Sequence, residues 1–265
     1  QTPRQKAKAS MYFLIDCGNQ NISFALWNGP KLHAKWRTAS DERRTSDDYT
    51  SWLRQHLANT NCDTKTVSAV ILSSVVPALD WALAQAARDL FNINPVRVTE
   101  AAKKTGMEIR LRPNSSIGED RLANAAGATA KYGGTLTVVD FGTATTFDCV
   151  AADGAYIGGL IAPGIDLSLE ALHRGTARLP RTWLARPETV VGHDTASALM
   201  SGVYWGYISM VEGLLARIKN EHNYERVIAT GGQANLLVND LPSVEHADAD
   251  LTLCGLAELL RRLEQ

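Results

Sequence analysis

The 265-residue chain has almost no excess charge: 27 Lys and Arg stand against 28 Asp and Glu, a net charge of −1 at pH 7. With a pI near 6.7 there is no basic field for nucleic acid. Cysteine is sparse. Cys17, Cys62, Cys149 and Cys254 are scattered with no CxxC pair, which fits buried thiols in a reducing cytoplasm rather than disulfides or zinc. No apolar run approaches membrane-span length. The basic start QTPRQKAKAS is followed by no signal-peptide core, because the run 11–15 is cut short by Asp16. Residues 1–10 therefore read as a flexible extension or a cloning remnant, with Met11 as a native start. The six histidines are scattered without an HExxH. The absence of GxxxxGKS or GxxxxGKT, of GxGxxG after a strand, and of GxSxG removes a P-loop, a Rossmann dinucleotide site and a serine-hydrolase elbow.

Hydrophobic residues make up 45% and charged residues 21%, enough for a large core in one domain or two lobes. In FLIDCGNQNISFALWNG, residues 13–29, an apolar run ends on Asp16, followed by Gly18, Asn19 and Gln20. Alternation resumes through Ile22, Phe24 and Leu26, and Asn28-Gly29 signals a hairpin turn. TVVDFGTATTFDCVAADG, residues 137–154, repeats the design with Asp140, Gly142, Thr143, Thr145 and Thr146, closing on Asp153-Gly154. A separation of 140 − 16 = 124 residues is too long for a solenoid and suits two related halves. Each stretch by itself is also what ordinary turn chemistry produces. Together, two such hairpins facing a cleft could hold phosphate oxygens on backbone N–H groups and threonine hydroxyls, with the carboxylates holding a cation or its waters.

Along the chain, 12–16, 21–27 and 32–37 read as a strand meander. Tyr49, Trp52, Leu53 and His56 stand at helical spacing. Residues 67–77 read as a buried strand, ALDWALAQAARDLF as a helix, and PVRV as a short strand. Residues 99–118 read as irregular and hold the lobe boundary, giving an N-terminal lobe over 11–115 and a C-terminal lobe over 116–265. A helix at about 119–131, a strand at 135–140, a long helix at 194–219 with Leu199, Val203, Met210, Leu214 and Ile218 on one stripe, a strand in RVIATGG and a helix at 251–263 follow. Strands alternating with helices make the class α/β.

SSIGEDRLANAAG, residues 115–127, sets Gly118, Glu119, Asp120 and Arg121 at a helix start. Capping accounts for an acid there. It accounts poorly for Arg121, since a cation opposes the dipole, whereas Arg beside Asp suits carboxylate binding next to a base; both readings stay open. Gly158-Gly159 and Pro163-Gly164 read either as turns or as close approach by a ligand or second subunit. Gly231-Gly232 in ATGGQANLL reads as a plain strand-to-helix turn. Gly202, Gly206 and Gly213 read as close-packing positions.

Asp-x-Gly-Asn near the start, Gly-x-Asp-Arg before a helix, Asp-Phe-Gly-Thr-Ala-Thr-Thr and Gly-Gly-x-Ile-x-Pro-Gly occur in that order. The chain resembles type III pantothenate kinases, the bacterial enzymes that begin coenzyme A synthesis. The likeness runs from about Met11 to the end, through RRTSDDY, SSVVPAL and LTLCGL. It implies the acetate and sugar kinase/Hsp70/actin (ribonuclease H-like) fold, two duplicated α/β lobes with ATP in the cleft. It further implies a first phosphate-binding hairpin at Asp16, Cys17, Gly18, Asn19, Gln20, Asn21, Ile22 and Ser23, and an ATP contact at Thr143. Asp140 is similar to the monovalent-cation ligand. Gly118, Glu119, Asp120 and Arg121 match the pantothenate-binding segment, with Asp120 as proton acceptor, and Thr195 resembles a further pantothenate contact. The family is dimeric. Three positions depart from the usual pattern: Gln20 replaces a threonine, Glu119 replaces an alanine, and Leu111, in Leu111-Arg112-Pro113-Asn114, stands where many members carry a tyrosine.

The expectation is thus a cytoplasmic homodimeric kinase that uses ATP, Mg²⁺ and a monovalent cation (K⁺ or NH₄⁺) to phosphorylate the primary hydroxyl of pantothenate, with no nucleic-acid or membrane partner. Two alternatives are a kinase of another small alcohol on the same fold and a non-catalytic nucleotide-binding accessory protein. Retention of Asp16, Asp120, Arg121 and Asp140 argues against the second.

Overall fold

The structure is a computed structural model that describes residues 11–60, 62–175 and 183–265. The expected N-terminal extension at 1–10 lies outside the described residues. By internal contacts the chain divides into two compact units. The first runs to Gly106 and takes in Ser116–Ala123 and Leu253–Gln265; the second comprises Met107–Ser115 and Asn124–Thr252. A single cut after residue 115 separates the chain differently. The physical reason is that the last helix returns to the first unit, where the Tyr12 hydroxyl donates to Glu264 Oε2 at 2.5 Å.

In the first unit, β1 (Met11–Cys17), β2 (Asn21–Asn28) and β3 (Lys31–Ala39) form the antiparallel meander read from the sequence. Gly29, with φ +57°, makes the turn into β3. After α1 (Ser46–Ala58), whose capping box pairs Thr45 with Asp48, β4 (Val67–Ser74) lies parallel to β1. Next come α2 (Pro77–Phe91), opened by its proline at the first helical position, the short β5 (Val96–Arg97) and α3 (Val98–Lys104). The helix α3 corrects the reading of 99–118 as wholly irregular. Its Val98, Ala101 and Ala102 are buried, a stripe too short to stand out in the sequence. The strand order is β3-β2-β1-β4-β5. As the central strand, β1 is buried on both faces. Phe13, Ile15 and Cys17 join Phe24, Tyr49, Leu53, Leu72, Leu79 and Leu83 in one core, and Leu14 is buried as well. Each large apolar side chain so buried contributes about 1.5–3 kcal/mol. The edge strand β3 alternates instead between exposed and half-buried positions.

The helix α4 (Glu119–Tyr132) begins in the first unit and continues in the second. There β6 (Leu136–Phe141), β7 (Ala144–Val150) and β8 (Tyr156–Pro163) form another antiparallel meander. After α5 (Ile165–Gly175) and α6 (Thr195–His222), β9 (Arg226–Thr230) pairs parallel with β6. The short α7 (Ala234–Leu237), β10 (His246–Ala247) and the closing α8 (Leu251–Leu263) complete the chain. This sheet reads β8-β7-β6-β9-β10, so both units use one plan: a three-strand meander, then two strands parallel to its first member. The expected α/β duplication is present.

In α6 the buried stripe is Met200, Tyr204, Tyr207, Ile208, Val211, Leu215 and Ile218, and the stripe read from Leu199, Val203, Met210 and Leu214 flanks it. The two tyrosines turn the helix inward because their hydroxyls find partners there: Tyr204 donates to Asp240 at 2.7 Å, and Tyr207 pairs with Thr145. Nor do Gly202 and Gly206 pack closely against any described residue. A Cβ at either would meet no described atom within 4 Å. Of the cysteines, Cys17 and Cys149 are buried, while Cys62 and Cys254 are half-buried.

Candidate active site

The first hairpin stands on strand pairing. At the end of β1, Asp16 lies opposite Ser23 of β2 and Ser73 of β4, and the Ser73 hydroxyl donates to Asp16 Oδ1 at 3.0 Å. The turn closes where Gly18 N–H donates to Asn21 O at 3.0 Å. It is held from outside by Ser40, whose hydroxyl donates to Gly18 O at 2.6 Å and whose N–H donates to Gln20 O at 3.0 Å. Asn19 and Gln20 are exposed; Asp16, Gly18, Asn21 and Ser23 are half-buried; Cys17 and Ile22 are buried. The last two can therefore meet a ligand through the backbone alone. Burial pushes the Cys17 thiol up to about 11, so it stays protonated and is no nucleophile.

In the same unit, Gly118, Glu119, Asp120 and Arg121 open α4. Asp120 Oδ1 accepts the Arg121 N–H at 2.8 Å, so part of the capping reading is realised. The Asp120 carboxylate also folds back over Gly118, where a Cβ would oblige that side chain to move. Burial raises the Asp120 carboxyl above the ordinary carboxylate range, partly opposed by the Arg121 N–H and guanidinium. A carboxylate so raised is a better proton acceptor than a solvated one. Glu119 is buried. Its carboxylate receives Ser74 N–H at 3.0 Å and Thr99 N–H at 3.2 Å, and it pairs with Arg97 at 2.7 Å.

In the second unit, Asp140 is the penultimate residue of β6, opposite Thr146 and Thr230. Asn124 of α4, fully buried, donates its amide to Asp140 Oδ2 at 2.9 Å and accepts the Thr252 hydroxyl at 2.7 Å. Sequence reading missed Asn124 and Thr252; the one signal available was a polar residue inside the apolar face of a helix. Gly231, with φ +92°, packs against Asp140 and against Phe141 N and O, where a Cβ would come within 2.6 Å of the backbone. The turn in ATGGQ therefore has a tertiary reason to be glycine. Of the threonines expected at this hairpin, Thr145 is buried with its hydroxyl on Tyr207, and the Thr146 hydroxyl donates to the buried Asp148 at 3.2 Å. Only Thr143, half-buried, keeps its place at the tip.

Pro163-Gly164 does meet a close neighbour, but it is the chain's own turn: a Cβ on Gly164 would strike Gly142 O and Thr143 O. Gly158 sits where the β7–β8 register shifts, with φ +132°, the usual use of glycine at a bulge. Leu111 is half-buried beside Gly158. Thr195 is exposed at the start of α6, next to the Asp194–Ser197 capping box, and lines a depression of about 510 Å³ with Gly192, His193, Asp194, Ala198 and Leu199. The first unit thus brings together residues 16–23 and 118–121, while Leu111, Asp140, Thr143 and Thr195 belong to the second. Among the described residues no three His, Cys, Asp or Glu side chains gather as a metal cage. An ion at Asp16 or Asp140 would rest on one carboxylate and otherwise on neutral oxygens, water or ligand.

Comparison with known proteins agrees with this geometry. The family model for type III pantothenate kinase matches residues 12–217. A type III pantothenate kinase of Caulobacter vibrioides is 49% identical over 255 residues, covering 95% of this chain and 97% of its own. Among solved structures, an activator of 2-hydroxyisocaproyl-CoA dehydratase from Clostridium difficile with bound ADPNP superposes with a TM-score of 0.56 at 11% identity, covering 96% of this chain and 94% of that one. A ROK family glucokinase from Streptomyces griseus in complex with glucose and AMPPNP gives a TM-score of 0.55, also at 11% identity, covering 95% and 99%. These two establish the fold as that of the sugar kinases and their relatives. With the matched family model and the identity across nearly the whole length of a curated relative, the chain belongs to the type III pantothenate kinase family.

Proposed function

We propose that the chain transfers the γ-phosphoryl group of ATP to the primary hydroxyl of pantothenate, giving 4′-phosphopantothenate, the first step of coenzyme A biosynthesis. Asp120 carries this reading: an acid in a helix first turn, lifted by burial and followed directly by an arginine. In this reading Asp120 accepts the hydroxyl proton, and Arg121 holds the pantothenate carboxylate. Gly18, Asn19 and Gln20 with their neighbours, and Thr143, meet the phosphates of ATP.

A kinase of this family works with ATP and a divalent ion, which supplies charge neutralisation at the transferring phosphoryl group. Mg²⁺ is held mainly by phosphates and water with one or two carboxylates, and Asp16 fits that requirement. Asp140 fits a monovalent cation, K⁺ or NH₄⁺, because the Asn124 amide, Thr146 and Thr230 set neutral polar groups beside its carboxylate. Homodimerisation is supported by the apolar side chains Ile161 and Leu167, 69% and 51% exposed. A cytoplasmic location accords with the lack, among the described residues, of any helix long and apolar enough to cross a membrane.

The test is ADP release in a coupled assay, with pantothenate and with a panel of other small alcohols. Pantothenate should be the alcohol that stimulates release; stimulation by another alcohol instead would overturn the substrate assignment. Asp120→Asn should lower turnover about 10²–10⁴-fold, the usual contribution of a general base, with thermal melting unimpaired. Near-normal turnover would leave Asp120 as a cap only.

A further inference from the structure

Glu119 opens α4 and carries a charge, yet it is only 5% exposed. Its Oε1 accepts from Arg97 Nε at 3.2 Å, from Thr99 N–H at 3.2 Å and from the Thr99 hydroxyl at 3.1 Å. Its Oε2 accepts from Ser74 N–H at 3.0 Å and pairs with Arg97 Nη2 at 2.7 Å. A carboxylate has about four lone-pair positions, and these donors fill them. Nothing is left with which to hold a substrate, contrary to what the sequence motif suggested for this residue. The second arm of Arg97, Nη1, reaches Asp80 Oδ2 of α2 at 2.7 Å.

The elements so joined matter. Ser74 ends β4 opposite Cys17, and Val75 N–H donates to Cys17 O at 3.0 Å. One buried carboxylate therefore ties the first turn of α4 to the strand ends that carry the Asp16 hairpin. The next residue, Asp120, has its carboxylate anchored locally, on the Arg121 N–H of its own turn. Its aim follows the aim of that turn.

We propose that Glu119, braced by Arg97 and Asp80, is a positioning residue: it locks the first turn of α4 against the ends of β4 and β5 and so holds Asp120 in its reacting direction. The proposal rests on the reading of Asp120 as the base.

Glu119→Gln tests it. The amide keeps the shape but offers one acceptor oxygen, and its NH₂ meets donors on the other side. Turnover should fall about 10–100-fold, as expected for a displaced reacting group, while KM for pantothenate and for ATP stays within about threefold. The acid limb of the kcat–pH profile should move with it. Hydrogen exchange over residues 118–126 should quicken about tenfold, without change in β6. Arg97→Lys keeps the charge but not the fork and should act in the same sense; it carries the test if Glu119→Gln fails to fold. The double variant should lose no more than the worse single one, because both act through the same turn. Full turnover with a lowered Tm would make Glu119 merely structural. A KM for pantothenate raised tenfold at full turnover would make it a substrate contact. Either result overturns the proposal. Wild-type protein inactive on pantothenate would instead defeat the substrate reading, and unchanged exchange over 118–126 would still overturn this one.

Discussion

The two acid-bearing hairpins share a backbone plan and differ in how each carboxylate is held. In both, the acid is the penultimate residue of the first strand of a meander. A buried hydroxyl residue stands beside it on the parallel strand (Ser73 and Thr230), and a half-buried one on the antiparallel strand (Ser23 and Thr146). The first turn has Gly18, Asn19 and Gln20 between its strands and ends in two exposed amides; the second has only Gly142 and Thr143. The first acid takes a hydroxyl donor, Ser73. The second takes a buried amide, Asn124, itself fixed by Thr252, with Gly231 pressed close. Duplication has kept the strand order, and the surroundings of the two acids have diverged. A tip rich in exposed N–H and amide groups suits phosphate. A short turn beside a rigidly seated carboxylate suits an ion.

If the acids have these separate tasks, neutralising them should give unequal losses. Asp16→Asn should reduce turnover about 10²–10³-fold, the scale of removing one group that stabilises transition-state charge, and should weaken the response to Mg²⁺. Asp140→Asn should cost about tenfold, or ~1.4 kcal/mol, and should abolish activation by K⁺ or NH₄⁺ relative to Na⁺ at matched ionic strength. Steady-state kinetics across Mg²⁺ and K⁺ titrations would separate them. Equal losses with the same salt response would erase the distinction.

The turns should also differ in their tolerance of a methyl group. Gly231→Ala must accommodate φ +92° and contacts of 2.6 Å to Phe141 N and O, at about 2–4 kcal/mol of stability. Gly18→Ala meets, among the described residues, only Asn21 O, at 3.3 Å and without positive φ, and should cost about 1 kcal/mol or less. Urea unfolding of the two variants gives the difference directly. A still finer contrast lies in the donors. Asn124→Ala strips a buried donor from Asp140 and should cost about 1–3 kcal/mol, against about 0.5–1.5 kcal/mol for Ser73→Ala at Asp16; the same unfolding measurement checks both.

The smallest expected effect concerns pH. Burial lifts the folded pKa of Asp120 above its unfolded value. Its contribution to stability is therefore fully present below the unfolded pKa and is lost as pH rises through the folded one. At neutral pH the buried charge is a cost. Asp120→Asn should melt at or slightly above the wild-type temperature at pH 7, with the gap closing toward pH 4. A variant that melts well below wild type at pH 7 would mean that the charge, rather than the neutral form, is what the fold favours.

Local chemistry wrote much of the fold into the sequence. Period-two alternation with Asn28-Gly29 marked β2 and β3, and the apolar period of 251–263 matched α8 to the residue. Asp16 and Asp140 stood out because an acid closing an apolar run is costly unless employed, and Asp120 because an arginine follows it at a helix start, where a cation opposes the dipole. Less legible were the elements whose signal is weak or mixed, such as α3, with seven residues, and the inward face of α6, where tyrosines do the work of hydrophobes.

Pattern and composition were enough to settle the α/β class and the duplication and to mark the candidate segments, since each is a property of neighbouring residues along the chain. Tertiary structure alone decided which groups those segments meet. Glu119 reaches Arg97 across 22 positions and Ser74 across 45, and Asn124 meets Thr252 across 128. Hydrogen bonds act over about 3 Å in space and carry no trace in local periodicity. Only the folded chain reveals that Glu119 is fully occupied, that Thr145 faces the core, and that Gly164 and Gly231 are glycines because backbone and carboxylate leave no room for a side chain.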